Sequence, residues 1–126
     1  MPVSEGALRN AIVAIAEVKN VLTDPRALAE DALALSYALP DEREYRAAIA
    51  NTCRALEQLA DGKVQSSSLK YVHEGWLSYH YQHTVAQRAC ADMRIMYRLE
   101  GKKLKVRGFG HRDIPEDFYV RMAEVR

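Results

Sequence analysis

Cysteine is scarce in this sequence: Cys53 and Cys90 are the only two, and neither has a close partner in the chain. A disulfide framework or a cysteine-based metal site is therefore not expected, and both thiols are expected to be reduced and packed. Long apolar runs are missing as well. The longest, Ala11 to Ala16, falls well short of the roughly 18 residues needed to cross a bilayer. The acidic N-terminal stretch lacks the cationic flank of a signal peptide, so a cytoplasmic protein with no membrane contact is expected. There is no glycine-rich phosphate loop, no defensible Ser/His/Asp order, no helix-turn-helix recognition helix, no internal repeat and no low-complexity tract.

The chain has 126 residues, 48% of them hydrophobic and 28% charged. That fits one domain over 1–126, large enough to bury a single core without covalent staples. A formal charge of +1 conceals an asymmetry. Residues 1–62 carry 6 Lys/Arg against 10 Asp/Glu, and residues 63–126 carry 12 against 7, so a net −4 half is joined to a net +5 half. A polyanionic partner would meet only the second half.

Residues 1–62 read as helices. Ser4 can cap a segment whose apolar positions Leu8, Ile12, Ile15, Val18 and Leu22 fall at helical spacing, although Ile12 to Val18 also suits a short strand. Thr23-Asp24-Pro25 pairs a capping residue with proline at the first helical position. Leu28, Ala32, Leu35 and Leu39 then mark one face up to Pro40. Asp41 can cap a third helix, with Tyr45, Ile49, Cys53, Leu56 and Ala60 aligned until Gly62 ends it.

After the Gln65-Ser66-Ser67-Ser68 loop the period changes. A strand is expected within Tyr71 to His83, which holds Val72, Trp76, Tyr79 and Tyr81. Asp92 to Leu99 alternates, with Met93, Ile95, Tyr97 and Leu99 on one side and Arg94, Met96 and Arg98 on the other. Glu100-Gly101 makes a turn. Lys102 to Phe109 returns with Leu104 and Val106 opposite to Lys103, Lys105 and Arg107. A short last helix is expected from Pro115 to about Glu124. The expected fold class is α+β: N-terminal helices packed on a small antiparallel sheet whose other face is basic and solvent-facing, with a short C-terminal helix.

One series of residues carries more than patterning. Arg94 opens an apolar strand that reaches Tyr97; a turn and a second strand follow, then Gly110-His111-Arg112 and later Tyr119. Upstream, Leu69-Lys70 precedes Gly75-Trp76. From Leu69 to Arg121 the chain resembles the RelE/ParE toxin superfamily. The resemblance implies a bacterial type II toxin that cleaves mRNA at the ribosome, is neutralised by a cognate antitoxin covering the basic sheet face, and has the RelE/ParE-like fold, whose members begin with a strand followed by two helices.

The chemistry this implies is attack of a ribose 2′-hydroxyl on the adjacent phosphate, which needs no metal and no cofactor. It requires a group to take the hydroxyl proton, a group to protonate the leaving 5′-oxygen, and fixed cations for the charge that builds on the phosphate. Arg94 matches the family's strand arginine, and a guanidinium suits that role because its fork can bind two phosphate oxygens. Arg112 matches a second phosphate-binding arginine, with a salt bridge to Asp113 or Glu116 as its structural alternative. His111 is a candidate acid or base, its pKa expected to be lowered by Arg112; alternatively it closes the strand by bonding the backbone. Tyr119 lies near the family's nucleotide-orienting tyrosine, or is a core residue. Lys70, His80, Arg98, Lys103, Lys105 and Arg107 are candidate RNA-binding positions. Trp76, Tyr79 and Tyr81 raise the prospect of base stacking, although core packing is the expected role of Trp76. His80 and His83 do not share a strand face, and nothing completes a metal site with them.

The sequence also departs from the family. Tyr79-His80-Tyr81-Gln82-His83 stands where RelE-like members carry lysines, and Ser66, Ser67 and Ser68 stand where the YoeB-like branch has its glutamate. His80 or His83 would have to substitute. Two other readings follow: a ParE-like protein that inhibits DNA gyrase by binding, or an inactive interaction protein on the same scaffold. A homodimer through the acidic half is compatible with any of these.

Overall fold

A computed structural model describes residues 3–70, 73–84 and 90–126. Tyr71 and Val72, placed by the sequence pattern in a strand region, lie outside the described residues.

The first helix, α1 (Glu5–Ala16), is capped by Ser4, whose hydroxyl accepts from the Ala7 amide at 3.1 Å. Ile12 is thus helical, and the segment up to Val18 holds no strand. The buried stripe is Ala7, Ala11 and Ile15, one position away from the expected Leu8 and Ile12, which are half-buried. The chain reverses through Asn20 in the left-handed region (φ 64°) and forms the two-residue strand β1 (Val21–Leu22). Helix α2 (Pro25–Ala38) starts with Asp24 accepting from the Ala27 amide at 2.9 Å, and α3 (Glu42–Ala60) with Asp41 accepting from Glu44 at 3.1 Å. Each cap satisfies an amide that the first helical turn leaves without a partner. The strands that follow are β2 (Ser67–Ser68), β3 (Leu77–Tyr81), β4 (Met93–Glu100) and β5 (Lys103–His111), and α4 (Phe118–Val125) comes last.

Among the described residues there are four helices and a five-stranded sheet in the order β1-β5-β4-β3-β2. The sheet is mixed rather than antiparallel, because β1 runs parallel to β5 while every other pair is antiparallel. A two-residue strand has no alternation to read, so the sequence pattern could not reveal it.

Between β4 and β5 the ladder steps from Met96↔Gly108 to Tyr97↔Val106, leaving Arg107 as an extra residue. This bulge turns Phe109 to the same side as Val106 and Leu104. All three then join Met93, Ile95 and Tyr97 in the main core beneath the helices, with Ala32, Leu35, Tyr45 and Leu56.

The opposite face differs from expectation. Met96, assigned to a basic solvent-facing surface, is fully buried with Phe118 and Met122 of α4. Helix α4 lies close to the sheet there: a Cβ at Gly108 would come within 2.3 Å of the Met122 sulfur, and one at Gly110 within 2.7 Å of the Arg121 guanidinium. The helix begins at Phe118, capped by Asp117, rather than at Pro115. It is tied to α2 by a buried pair in which Arg121 donates to Asp31 at 2.8 Å. Arg126 also pairs with Asp31. Phe109, at the part of the β5 edge that β1 does not reach, donates its amide to Asp31 (3.2 Å), and its carbonyl accepts from Arg121 (3.0 Å). The cluster therefore closes a strand edge that would otherwise bury unpaired backbone groups.

Candidate active site

The strand register sets which side chains meet. His80 pairs with Arg94 and Ser78 with Met96, so Ser78, His80, Arg94 and Met96 all leave the face that α4 partly covers. Tyr119, in the first turn of α4, reaches over this row. Its hydroxyl lies 2.7 Å from Ser78 Oγ and 3.1 Å from His80 Nε2. The Tyr119 carbonyl is 2.9 Å from His73 Nε2. Ser78 is buried, Tyr119 half-buried and His80 exposed, so the hydroxyl is held from below and opens toward solvent at the imidazole.

Arg94 is half-buried and anchored, with Nη1 donating to the carbonyls of Ala91 (2.7 Å) and Met93 (3.0 Å). Its Nε is buried with no hydrogen-bond partner among the described residues. Partial burial, and next the Arg94 charge, hold the His80 imidazole below the usual histidine range. A neutral ring is thereby favoured near neutral pH, and a neutral ring can accept a proton.

His111 is not part of this group. It pairs with Met93, whose side chain is in the core beneath the helices, so its ring leaves the other face of the sheet. Its Nδ1 accepts from the amides of Asp113 (3.0 Å) and Ile114 (3.1 Å), the strand-closing arrangement. The pKa of His111 is lowered chiefly by burial; Arg112 contributes, but as a lesser cause than either Asp92 or Asp113, which act in the opposite direction. The ring of His83 pairs with Asp92 at 2.5 Å. Arg112 donates to Asp113 at 3.0 Å. The expected convergence of Arg94, Arg112 and His111 is thus replaced by Arg94, His80 and Tyr119.

The remaining cations lie further along the same surface. Arg98 pairs with Glu100 at 3.2 Å, Lys105 approaches the same carboxylate at 3.9 Å, and Lys103 bonds Asn20 at 3.3 Å. Lys70 is exposed. Arg98 and Arg107 both lie over the Trp76 ring, 4.7 and 5.0 Å from its centre. Trp76 is half-buried at the margin of the small cluster under α4, so core packing describes only part of its surroundings. Tyr79 and Tyr81 stack on each other in or against the main core, away from this surface.

Ser78 escaped the sequence reading, although the alternation Leu77/Tyr79/Tyr81 against Ser78/His80 places it beside His80. Among the described residues no group of three or more His, Cys, Asp or Glu side chains could hold a metal ion. Cys90 is exposed rather than packed, while burial pushes the half-buried Cys53 thiol up to about 11. No helix among the described residues is long and apolar enough to cross a membrane. Comparison with protein-family models, curated proteins and solved structures gives no match.

Proposed function

We propose that the protein is a RelE-type toxin, an endoribonuclease that cleaves mRNA without a metal, with His80, Tyr119 and Arg94 as its reacting groups. The observation that carries this reading is the Tyr119 hydroxyl held between Ser78 and His80 on the strand face that also bears Arg94. The element order lends support. Among the described residues, α1 is followed by a strand, two helices, four strands and a helix, which agrees with the strand-helix-helix opening implied by the resemblance once α1 is treated as an addition.

In the proposed reaction neutral His80 takes the proton of the ribose 2′-hydroxyl as its oxygen attacks the phosphorus. The bond from phosphorus to the 5′-oxygen breaks, and the Tyr119 hydroxyl donates its proton to that leaving oxygen. The proton on His80 then returns to Tyr119 across their 3.1 Å contact. The products are a 2′,3′-cyclic phosphate and a 5′-hydroxyl. Arg94 stabilises the charge that builds on the phosphate oxygens. Its two Nη1 bonds to backbone carbonyls fix the guanidinium in advance of substrate, which lowers the cost of ordering it.

Incubation with a single-stranded RNA in the presence of a chelator tests the reading. Cleavage to cyclic phosphate ends is expected, with Arg94→Ala, His80→Ala and Tyr119→Phe each reducing the rate by roughly 100-fold or more. The rate should fall on acidification as His80 becomes protonated. An RNA blocked at every 2′-hydroxyl must survive intact; its cleavage would refute the mechanism.

A second reading is favoured by one observation. His111 lies on the other face and Arg112 is engaged by Asp113, which leaves fewer cations around the phosphate than the resemblance implies. This fits a ParE-like inhibitor that binds DNA gyrase without cleaving nucleic acid. Under either reading the partner is a small antitoxin covering the basic sheet face.

A further inference from the structure

We infer that Trp76, with Arg98 and Arg107 over its ring, is a second nucleotide subsite, where an unpaired base takes the place of a guanidinium on the indole face and the displaced guanidinium groups hold the phosphates beside it. The inference rests on the reading of the surface as an RNA-binding one and extends it to a place the resemblance does not specify.

Three features of the site point to a ligand. The indole is held on a fixed frame, since the Trp76 amide donates to the His73 carbonyl at 3.1 Å and its carbonyl accepts from Leu69 at 3.0 Å. The two guanidinium groups that approach its ring are of like charge. Arg98 has Glu100 as a carboxylate partner, whereas Arg107 donates to the main-chain oxygen of Arg126 and its Nε is buried without a partner among the described residues. Two cations gathered at one aromatic ring leave a local excess of positive charge that an incoming anion relieves. Finally, the bulge in β5 exists at Arg107 itself. It returns Phe109 to the core while adding a residue where the chain passes Trp76, so the irregularity serves both faces of the sheet.

Position along the strand fits a single-stranded ligand. Arg94 and Arg98 are four residues apart on one face of β4 and so lie about 13 Å from each other. Between them Met96 is covered by α4. A short single strand whose scissile phosphate sits at Arg94 can bring a neighbouring base to Trp76, whereas a rigid duplex cannot lay down an isolated base. Tyr79 and Tyr81 are directed to the main core and offer no competing platform.

Trp76 is the only tryptophan, so its emission reports on this site alone. The full chain is titrated with a short single-stranded RNA made uncleavable by 2′-O-methylation, and in parallel with polyphosphate, which has charge but no bases. The RNA is expected to change the indole emission and polyphosphate to leave it nearly unchanged. Trp76→Phe, which retains an aromatic ring for packing, and Arg98→Gln, a surface change, are each expected to weaken RNA binding by roughly tenfold. Arg98→Gln should also reduce the slope of log affinity against log salt by about 0.7. RNA binding with an unchanged emission, equal responses to RNA and polyphosphate, or unaltered affinity in both variants would each overturn the subsite. So would the absence of RNA binding. Cleavage of unmodified RNA by the same preparation is scored separately: cleavage with a silent Trp76 removes only the subsite, and a responsive Trp76 without cleavage removes only the nuclease.

Discussion

The two faces of the sheet are held by different means. Beneath the helices, Met93, Ile95, Tyr97, Leu104, Val106 and Phe109 join side chains from three helices in one broad apolar cluster. On the other face the fully buried cluster among the described residues is Met96, Phe118 and Met122, and α4 is kept in place by the polar pairing of Arg121 and Arg126 with Asp31. Removing one apolar side chain leaves a cavity that its neighbours partly refill, whereas removing one partner of a buried ion cluster leaves the others as uncompensated charges. The proposed reacting groups depend on the weaker side, because Tyr119 is delivered by α4.

The sharpest way to break this contrast is Asp31→Ala. It leaves two guanidinium groups and the Phe109 amide without their acceptor. A loss of about 3–5 kcal/mol is expected in chemical denaturation. The Tyr119 site should be lost with it. A cost below about 1 kcal/mol would mean that α4 is held by packing after all and that the two faces are alike.

A smaller effect is expected at the close approach of α4 to β5. Gly108→Ala places a methyl against the Met122 side chain, which can yield, and 3.1 Å from the Asp31 carboxylate, which is pinned. Overpacking of this kind costs about 1–3 kcal/mol. Measured again with Met122→Ala, the Gly108→Ala penalty should shrink, since one of its two obstacles is gone. An undiminished penalty would assign the strain to Asp31 alone.

The same contrast explains what could be read in the sequence. The helix-side core was legible, because α2, α3 and β4 bury their apolar positions at regular spacing: Leu28, Ala32 and Leu35, then Tyr45, Ile49 and Leu56, then Met93, Ile95 and Tyr97. Caps at Ser4, Asp24 and Asp41 could be named for a local reason, a short oxygen-bearing side chain ahead of an amphipathic run. The α4 side was not legible. Strict alternation puts Met96 with Arg94 and Arg98, and nothing nearby in sequence says that a helix some 20 residues later covers it. Gly110 reads as part of a Gly-His-Arg motif, yet the approach of α4 is what demands a glycine there and at Gly108. For the candidate site, Arg94 emerges from the sequence as the first choice for the phosphate, and Tyr119 as either a nucleotide-orienting or a core residue. His80 emerged only as a secondary one, and its pairing with Tyr119 across 39 positions depends on tertiary structure. His111 was misdirected for a plain reason: proximity in sequence to Arg112 says nothing about which face of a sheet a ring leaves.

The smallest expected effect concerns the two histidines that those faces separate. Both imidazoles are held below the ordinary 6.5, His80 by partial burial and Arg94, His111 chiefly by burial. In His111 the Nδ1 lone pair already accepts two amides, so the proton of the neutral ring sits on Nε2 and a second proton would break that turn. Between each lowered value and 6.5 the unfolded chain binds more protons than the folded one, so stability rises with pH across that window. It is complete above the ordinary histidine range, declines as pH falls through it, and levels off below the folded values. A modest drop in Tm is therefore expected as the pH falls through the ordinary histidine value of 6.5. His111→Asn, whose amide oxygen can accept in place of Nδ1, should remove the His111 share of that drop and leave cleavage intact. His80→Asn should remove the His80 share of that drop while abolishing cleavage. If His111→Asn abolished cleavage and His80→Asn did not, the reacting face would have been assigned to the wrong side of the sheet.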